Sequence, residues 1–467
     1  MANIPLLSGI YATTTPDFRT AYPVNMVPVP MATGISDAYL RPGDGIVSDG
    51  VGPGIDRGGI NWEGSLYRVM GTRLVRIDPT GIVQDLGDVG PGGLVTFDYS
   101  FDRLAIASGG RLYYLTGSSL AQVVDPDLGT VVDFCWVDGY FMATDGEFLI
   151  VTELNDPFLV LPLKYASSEA DPDPVVALVK VRNEVAAINR NTIEFFDNVG
   201  GSGFPFQRIE GAQIMKGAVG TFACCAYQEQ IAFVGSGRNE APEVFVGLNA
   251  QANKISTQEV DEILATYTEV QLAGVKLEAR NDRAHAFLYV HLPDRTLVFD
   301  GNASKALGSL VWFVLVSALE GIAQYRARNF VWAYDRWCVG DPASTSFGHC
   351  VQTLSTHWGE RVRWELSTPI AYSEGNGVIF HELELIALPG SVPFGENPLI
   401  STSYSLDGLT WSNDQTVRVG AFGARQHRIA WRRQGSMRRF RIQRFRGDSS
   451  AHLPIARLEA TLEPLAW

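Results

Sequence analysis

Seven arginines lie in the stretch WRRQGSMRRFRIQRFRG, Trp431 to Gly447, of a chain whose formal net charge is -14. A guanidinium group is planar and presents a rigid fork of donors, so it grips phosphate and carboxylate alike. Alternation in the stretch predicts strands. Phe440 and Ile442 fall on one face, and Arg439, Arg441 and Gln443 on the other. The preceding HRIAWRR alternates too, with Ile429 and Trp431 opposite Arg428 and Arg432. Gly435 and Ser436 would turn the chain between the two strands. Arg428, Arg432, Arg439 and Arg441 would then form one basic face, toward DNA or an acidic partner. The alternative is pairing with acids on adjacent strands, for which Glu382 and Glu384, or Glu459 and Glu463, alternate suitably. Charge alone favours pairing.

Other chemistry-bearing residues do not assemble into a set. SYSLDGLTWS at 403–412 is similar to the Asp box of sialidase propellers, but Asp407 abuts Gly408 where the box has an intervening residue. An Asp-Gly hairpin turn with Trp411 packed beneath it accounts for the same letters. Glycosidases need two facing carboxylates. Asp282, Asp294, Asp300 and Asp335 are available, but no spacing pairs them. The Gly-rich NVGGSGFPF at 198–206 lacks the lysine and following helix of a phosphate loop and reads as a blade connection. DGNASK at 300–305 contains Asn-x-Ser, which a cytoplasmic protein leaves unmodified. Five cysteines without a CxxC, and seven scattered histidines, outline neither a disulfide framework nor a metal site. The expectation is a protein without catalytic residues, cofactor or metal. A carbohydrate-binding or glycoside-cleaving propeller is the alternative, motivated by the near-miss Asp box.

The elements that must position these residues are strands. The 467 residues are 46% apolar and 19% charged, a globular composition with no membrane-length apolar run. The N-terminus lacks the basic start and apolar core of a signal peptide, so synthesis in, and initial retention by, the cytoplasm is expected. The acidic balance disfavours nucleic-acid binding over the whole surface.

A hairpin shape recurs, with copies starting at Leu66, Leu104, Tyr140, Val185, Ile231 and Phe287 and a weaker one at Phe330. Starts spaced 36 to 56 residues apart suit four-stranded blades. The fold class read from this pattern is all-β: a six- or seven-bladed β-propeller over 61–356. A Pro-rich extended arm over 1–60 precedes it, expected to lie against the propeller or a neighbouring subunit. A β-sandwich over 357–467 follows. One helix is expected at ISTQEVDEILATY, with Ser256 and Glu259 as a capping box and Val260, Ile263 and Leu264 on its buried face.

SLDGLTWS followed by RIAWRRQGSMRRFRIQRF resembles the C-terminal region of the packaged-DNA stabilisation proteins of short-tailed bacteriophages. YPVNM at 22–26, YLRPGDGI at 39–46, TIEFF at 192–196, KGAVGTF at 216–222, ISTQEVDEIL at 255–264 and YVHLPDRTLVFD at 289–300 are similar to that family in matching order. The resemblance spans nearly the whole chain. It implies a virion protein of the tail, assembled in the host cytoplasm, that forms a ring described as a hexamer beneath the portal protein. Such a hub or nozzle closes the head, helps retain packaged DNA, and offers surfaces to a tail needle or plug and to tailspikes or fibres. Non-specific contact with channel DNA follows if the arginine strands line the channel. No membrane is involved, and no catalytic residue transfers. Spacing and loops differ from the family's, which puts tailspike or fibre attachment in doubt.

Overall fold

The computed structural model describes residues 2–4, 9–10 and 20–465, apart from 32, 155, 169, 170, 202, 374 and 375. Seven antiparallel sheets follow one another from residue 56 to residue 351, six of four strands and one of five. Their first strands start at Asp56, Thr96, Asp133, Val175, Lys276 and Arg328, with Cys224–Tyr227 in that place in the five-stranded sheet. Each packs against the next, and the seventh returns to the first. The blade number, open between six and seven in the sequence, is seven. The first six hairpins of the repeat are second and third strands of their blades. The weaker copy at Phe330 joins the first and second strands of blade 7.

The ring has no single core. Strand side chains alternate between faces, so each blade offers one apolar face to each neighbour. Leu112 and Tyr114 pack toward blade 3, while Tyr113 and Leu115 pack toward blade 1. Seven buried clusters result, one between each pair of successive blades, including Leu66, Met70, Val331 and Phe347 where blade 7 meets blade 1. Cys224 and Cys225 obey the same rule, one facing the cluster shared with blade 4 and the other that shared with blade 6.

Carboxylates on first strands tie one blade to the next. Asp98 accepts from the Trp136 amide at 2.6 Å, and Asp133 from the Leu178 amide at 2.9 Å. Glu278 accepts from the Asn329 and Phe330 amides at 2.9 and 2.8 Å. Asn329 in turn donates from its side chain to Asp56 of blade 1 at 2.5 Å. These acids, buried or partly buried, satisfy backbone donors that no neighbouring strand reaches. Burial pushes the Asp133 carboxyl up to about 6.

The described residues of the Pro-rich stretch 1–60, expected as an extended arm against the propeller or a neighbouring subunit, are divided between the propeller and the C-terminal sandwich. Gly45–Val51 pairs with Ser346–Val351 as the outermost strand of blade 7, so the N-terminal segment completes the last blade. Asp56–Trp62 is the innermost strand of blade 1. Met26–Val29 and Tyr39–Pro42 enter a seven-stranded sheet of the C-terminal sandwich. Pro28 lies in the Met26–Val29 strand at that sheet's edge, where a missing N–H is tolerated.

Three helices are present among the described residues, where one was expected. Gln258–Ala265 buries Val260 and Leu264 with Ile263 packed beside them, as its pattern predicts. The expected Ser256–Glu259 capping box is absent. The Ser256 hydroxyl instead accepts from the Val244 amide at 3.2 Å, and Glu259 accepts from the Tyr22 hydroxyl at 3.3 Å. The helix therefore starts one residue later, after Thr257. A capping box does form in the next helix, Glu269–Ala273, between Thr268 and Gln271. The third helix, Gly301–Leu307, contains the Asn-x-Ser triplet and is capped by Asp300. The Gly-rich stretch at 198–206 links the third and fourth strands of blade 4.

Candidate interaction surface of the C-terminal sandwich

The sandwich faces the seven-stranded sheet, which includes Val378–Ala387, Ile429–Arg432 and Ile455–Pro464, against a five-stranded sheet. The latter carries Arg363–Ser367, Leu399–Ser405, Gln415–Arg418 and Phe440–Asp448. Between them Trp364, Phe380, Leu383, Trp431, Phe445 and Leu458 form one buried cluster.

This arrangement separates the four arginines expected on one face. Ile429–Arg432 and Phe440–Asp448 are not neighbours but belong to opposite sheets. The chain leaves the first through Arg433 and Gly435, both at positive φ (55° and 76°), and pairs Ser436 and Met437 with Ile379 and Val378 before crossing. Gly435 and Ser436 thus lie on a sheet-to-sheet crossover, not a hairpin.

Arg428 and Arg432 lie on the sandwich surface beside acids. The Ile429–Arg432 strand, which Arg428 directly precedes, pairs with Val378–Ala387, with Arg432 opposite Glu382. Arg428 Nε donates to Glu384 Oε1 at 2.8 Å, and its Nη2 reaches Glu382 at 2.8 Å; Arg432 Nε donates to Glu382 at 3.2 Å. The hydrogen bond from Arg428 holds the Glu384 carboxyl below its ordinary range. Arg439 is exposed on the crossover. Of the other acids singled out, Glu459 pairs with Arg457, and Glu463 with His381 at 2.7 Å.

Arg441 is inside the sandwich, 1% exposed. Its guanidinium lies 4.3 Å from the Phe380 ring centroid and 3.9 Å from that of Tyr404. Nη1 donates to the Gln434 carbonyl at 2.6 Å, and Nε and Nη2 donate to Gln443 Oε1 at 3.0 and 2.8 Å. Burial lowers its pKa to about 10. The expected alternation is real but inverted. Arg441, Gln443 and Phe445 share the inward face, because the two aromatic rings and Gln443 provide a place for a planar cation. No sequence signal separates the rows, since Phe445 lies on this one and Phe440 and Ile442 on the other.

On the outer face, Arg444 lies over the Trp411 ring at 3.9 Å, and Arg446 bonds Asp414 at 2.5 Å. Asp407 accepts from the Leu409 and Thr410 amides at 2.8 and 2.7 Å and from the Thr410 hydroxyl at 2.6 Å. Those bonds, the Thr410 hydroxyl's foremost, hold its carboxyl far below the usual range. The segment is a side-chain-capped turn with Gly408 at positive φ (76°).

The acids considered for glycoside cleavage have structural surroundings. Asp282 pairs with Arg280, and Asp294 with Arg295 and the Tyr267 hydroxyl. Asp300 is fully buried as a helix cap bonded to His285 at 2.5 Å. Asp335 forms a hairpin turn at positive φ. An open groove of about 640 Å³ runs between the propeller loop at 319–321 and the sandwich, lined by Arg363, Ser401, Asp414 and Arg446 among others. Its walls alternate in charge, and Asp414 is already bonded to Arg446. These features suit contact surfaces.

Residues 2–355 match the family described as bacteriophage P22 Gp10, β-propeller, and residues 363–463 match bacteriophage P22 Gp10, β-sandwich. The chain is 24% identical over 463 residues to the tail hub protein gp10 of Salmonella phage P22, covering 93% of this chain and 94% of that protein. Among solved structures, it is similar to the WD40 domain of Neurospora crassa Pan2, with 11% identity and a TM-score of 0.40 over 63% of this chain and 89% of that one. It is also similar to PorZ of Porphyromonas gingivalis, with 11% identity and a TM-score of 0.41 over 79% of this chain and 46% of that one.

Proposed function

The chain belongs to the bacteriophage P22 Gp10 family and is a structural protein of a phage tail; we propose that it forms a ring below the portal, closes the filled head and carries the parts of the tail beyond it. The observation that carries this reading is similarity to a tail hub protein over nearly the full length of both chains, propeller and sandwich together. A hub must be stiff and must hold several partners at once. A closed ring of seven blades with a sandwich bonded to its side supports both demands, because strand-end loops can carry contacts while every blade is braced by two neighbours. In this reading the subunit is assembled in the host cytoplasm and has no catalytic role. The ring, a hexamer by resemblance, meets the portal on one side and a needle or plug, with tailspikes or fibres, on the other. DNA in the channel is held by closure.

The test uses particles made without this protein. DNA is packaged and the filled heads are treated with nuclease. DNA that enters and then leaks or becomes digestible is the expected result. Heads that keep their DNA protected while only host attachment fails would overturn the closure role and place the protein further out as an adsorption adaptor.

A further inference from the structure

The outermost strand of blade 3, Asp156–Ser167, exposes apolar side chains along the rim. Leu159, Leu161, Leu163 and Tyr165 are 43%, 38%, 85% and 52% exposed. Thr152 faces Val160 while Ile150 faces Tyr165, so residues 161–164 bulge outward opposite a single residue. A bulge of this kind blunts an edge strand against backbone pairing. What docks here does so through side chains. The surroundings are acidic. Residues 123–168 contain eight acids and one basic residue, Lys164, which is bonded to Glu153. A cavity of about 340 Å³ beside Leu161 and Tyr165 is walled by Asp127 and Asp145.

The sandwich offers the complement. Phe394 and Phe422 are 92% and 63% exposed, with ring centroids 6.4 Å apart. Beside Phe422, exposed Arg425 bonds only neutral oxygens, of Ser391 at 3.3 Å and Pro389 at 3.5 Å, among the described residues. The charge division is general. Residues 357–467 carry 13 basic residues against 11 acids, and residues 1–356 carry 24 against 40.

Blade 3 and the sandwich lie on opposite flanks. The sandwich is bonded to the propeller at blades 6 and 7: the Val24 segment joins Val314 to Glu365, and Ile46 of blade 7 pairs with His357. Blade 3 is three blades away from that attachment in either direction. Head-to-tail contact in a closed ring requires two different patches on one subunit, and an apolar acidic flank fits an apolar basic one. Resting on the ring reading above, we propose that the rim of blade 3 in one copy, centred on Leu163, docks against the Phe394–Phe422 end of the sandwich in the next copy.

The test uses the full chain. Self-association is followed by sedimentation and native mass spectrometry for the wild type, Leu163→Glu and Phe422→Glu. Each substitution is expected to weaken assembly at least tenfold while the melting temperature stays put, and assembly should weaken further with salt. Separately, Leu163→Cys and Phe422→Cys proteins are mixed and oxidised. None of the five native cysteines is exposed, so a cross-linked dimer from the mixture, and from neither protein alone, is the expected result. If the wild type assembles while both glutamate variants assemble equally well and no cross-link forms, the contact lies elsewhere and the ring reading stands. If the wild type remains a monomer both alone and on portal-bearing heads, the ring reading falls and this contact with it.

Discussion

The Arg441 guanidinium lies 3.9 Å from the ring centroid of Tyr404, and the ring of Phe380 closes its other side at 4.3 Å. Phe380 and Tyr404 belong to opposite sheets, so one cation joins the two layers of the sandwich. Arg441→Ala should destabilise the sandwich by ~2–4 kcal/mol, combining lost cation–ring contact with a buried void. Arg441→Lys keeps the charge but not the planar fork, and should recover only part of the loss. Urea unfolding followed by tryptophan fluorescence measures both; an unchanged midpoint in Arg441→Ala would remove the bridging role.

Arg428, Arg432 and Arg439 should behave differently. The first two are engaged with Glu382 and Glu384 at the surface, and all three are exposed. Replacing all three by Ala should leave the unfolding midpoint in place. DNA binding by the isolated protein, titrated at several salt concentrations, should also be unchanged in strength and in salt slope. A shallower slope in the triple variant would restore the idea of a DNA-facing arginine surface.

Glu278 ties blade 6 to blade 7 through two backbone amides. Glu278→Ala leaves both donors buried without an acceptor, at about 1–3 kcal/mol each. Thermal unfolding should begin earlier. Hydrogen exchange should rise first at Asn329 and Phe330, and equal exchange there in variant and wild type would count against the tie.

Two buried groups pull stability in opposite directions with pH. Burial holds His291 neutral, its pKa lowered to about 4. Its contribution is present above the ordinary histidine value near 6.5 and is lost as pH falls toward 4. Asp133 has its pKa raised to about 6, so its contribution is present below about 4 and is lost as pH rises through 6. Asp133→Asn should therefore expose a steeper loss of stability on acidification from pH 7 to pH 4 than the wild type shows. Urea midpoints across that range check the sign, and a flatter profile in the variant would contradict it.

The blades were legible because their hairpins are apolar on both faces and return at blade-sized spacing, as Leu104 to Leu115 illustrates. The closing strand was not legible. Gly45–Val51 carries a Gly-rich sequence whose partner lies about three hundred residues on, and no local pattern encodes that pairing. The resemblance of the C-terminal stretch led to the family, but the residues that carried it misled about the surface. Alternation identifies two faces of a strand without naming the inner one, and the polar row of Phe440–Asp448 is the inner one because Phe380 and Tyr404 receive Arg441. Short helices such as Glu269–Ala273 and Gly301–Leu307 span too few turns to show a period, and only their caps announce them.

The strand that completes blade 7 also sets a clock on biosynthesis. Gly45–Val51 leaves the ribosome long before Ser346–Val351, its partner. At about 5–20 residues per second the interval is roughly 15–60 seconds. Tyr39–Pro42 waits longer still, since Leu40 pairs with Ile455. During that time blades 1 to 6 can form, but the ring stays open and the sandwich lacks an edge. A ribosome-bound chain therefore cannot present both flanks of a finished subunit. In the proposed ring, self-assembly would therefore wait until translation is nearly over, with the topology of the subunit alone keeping incomplete chains out.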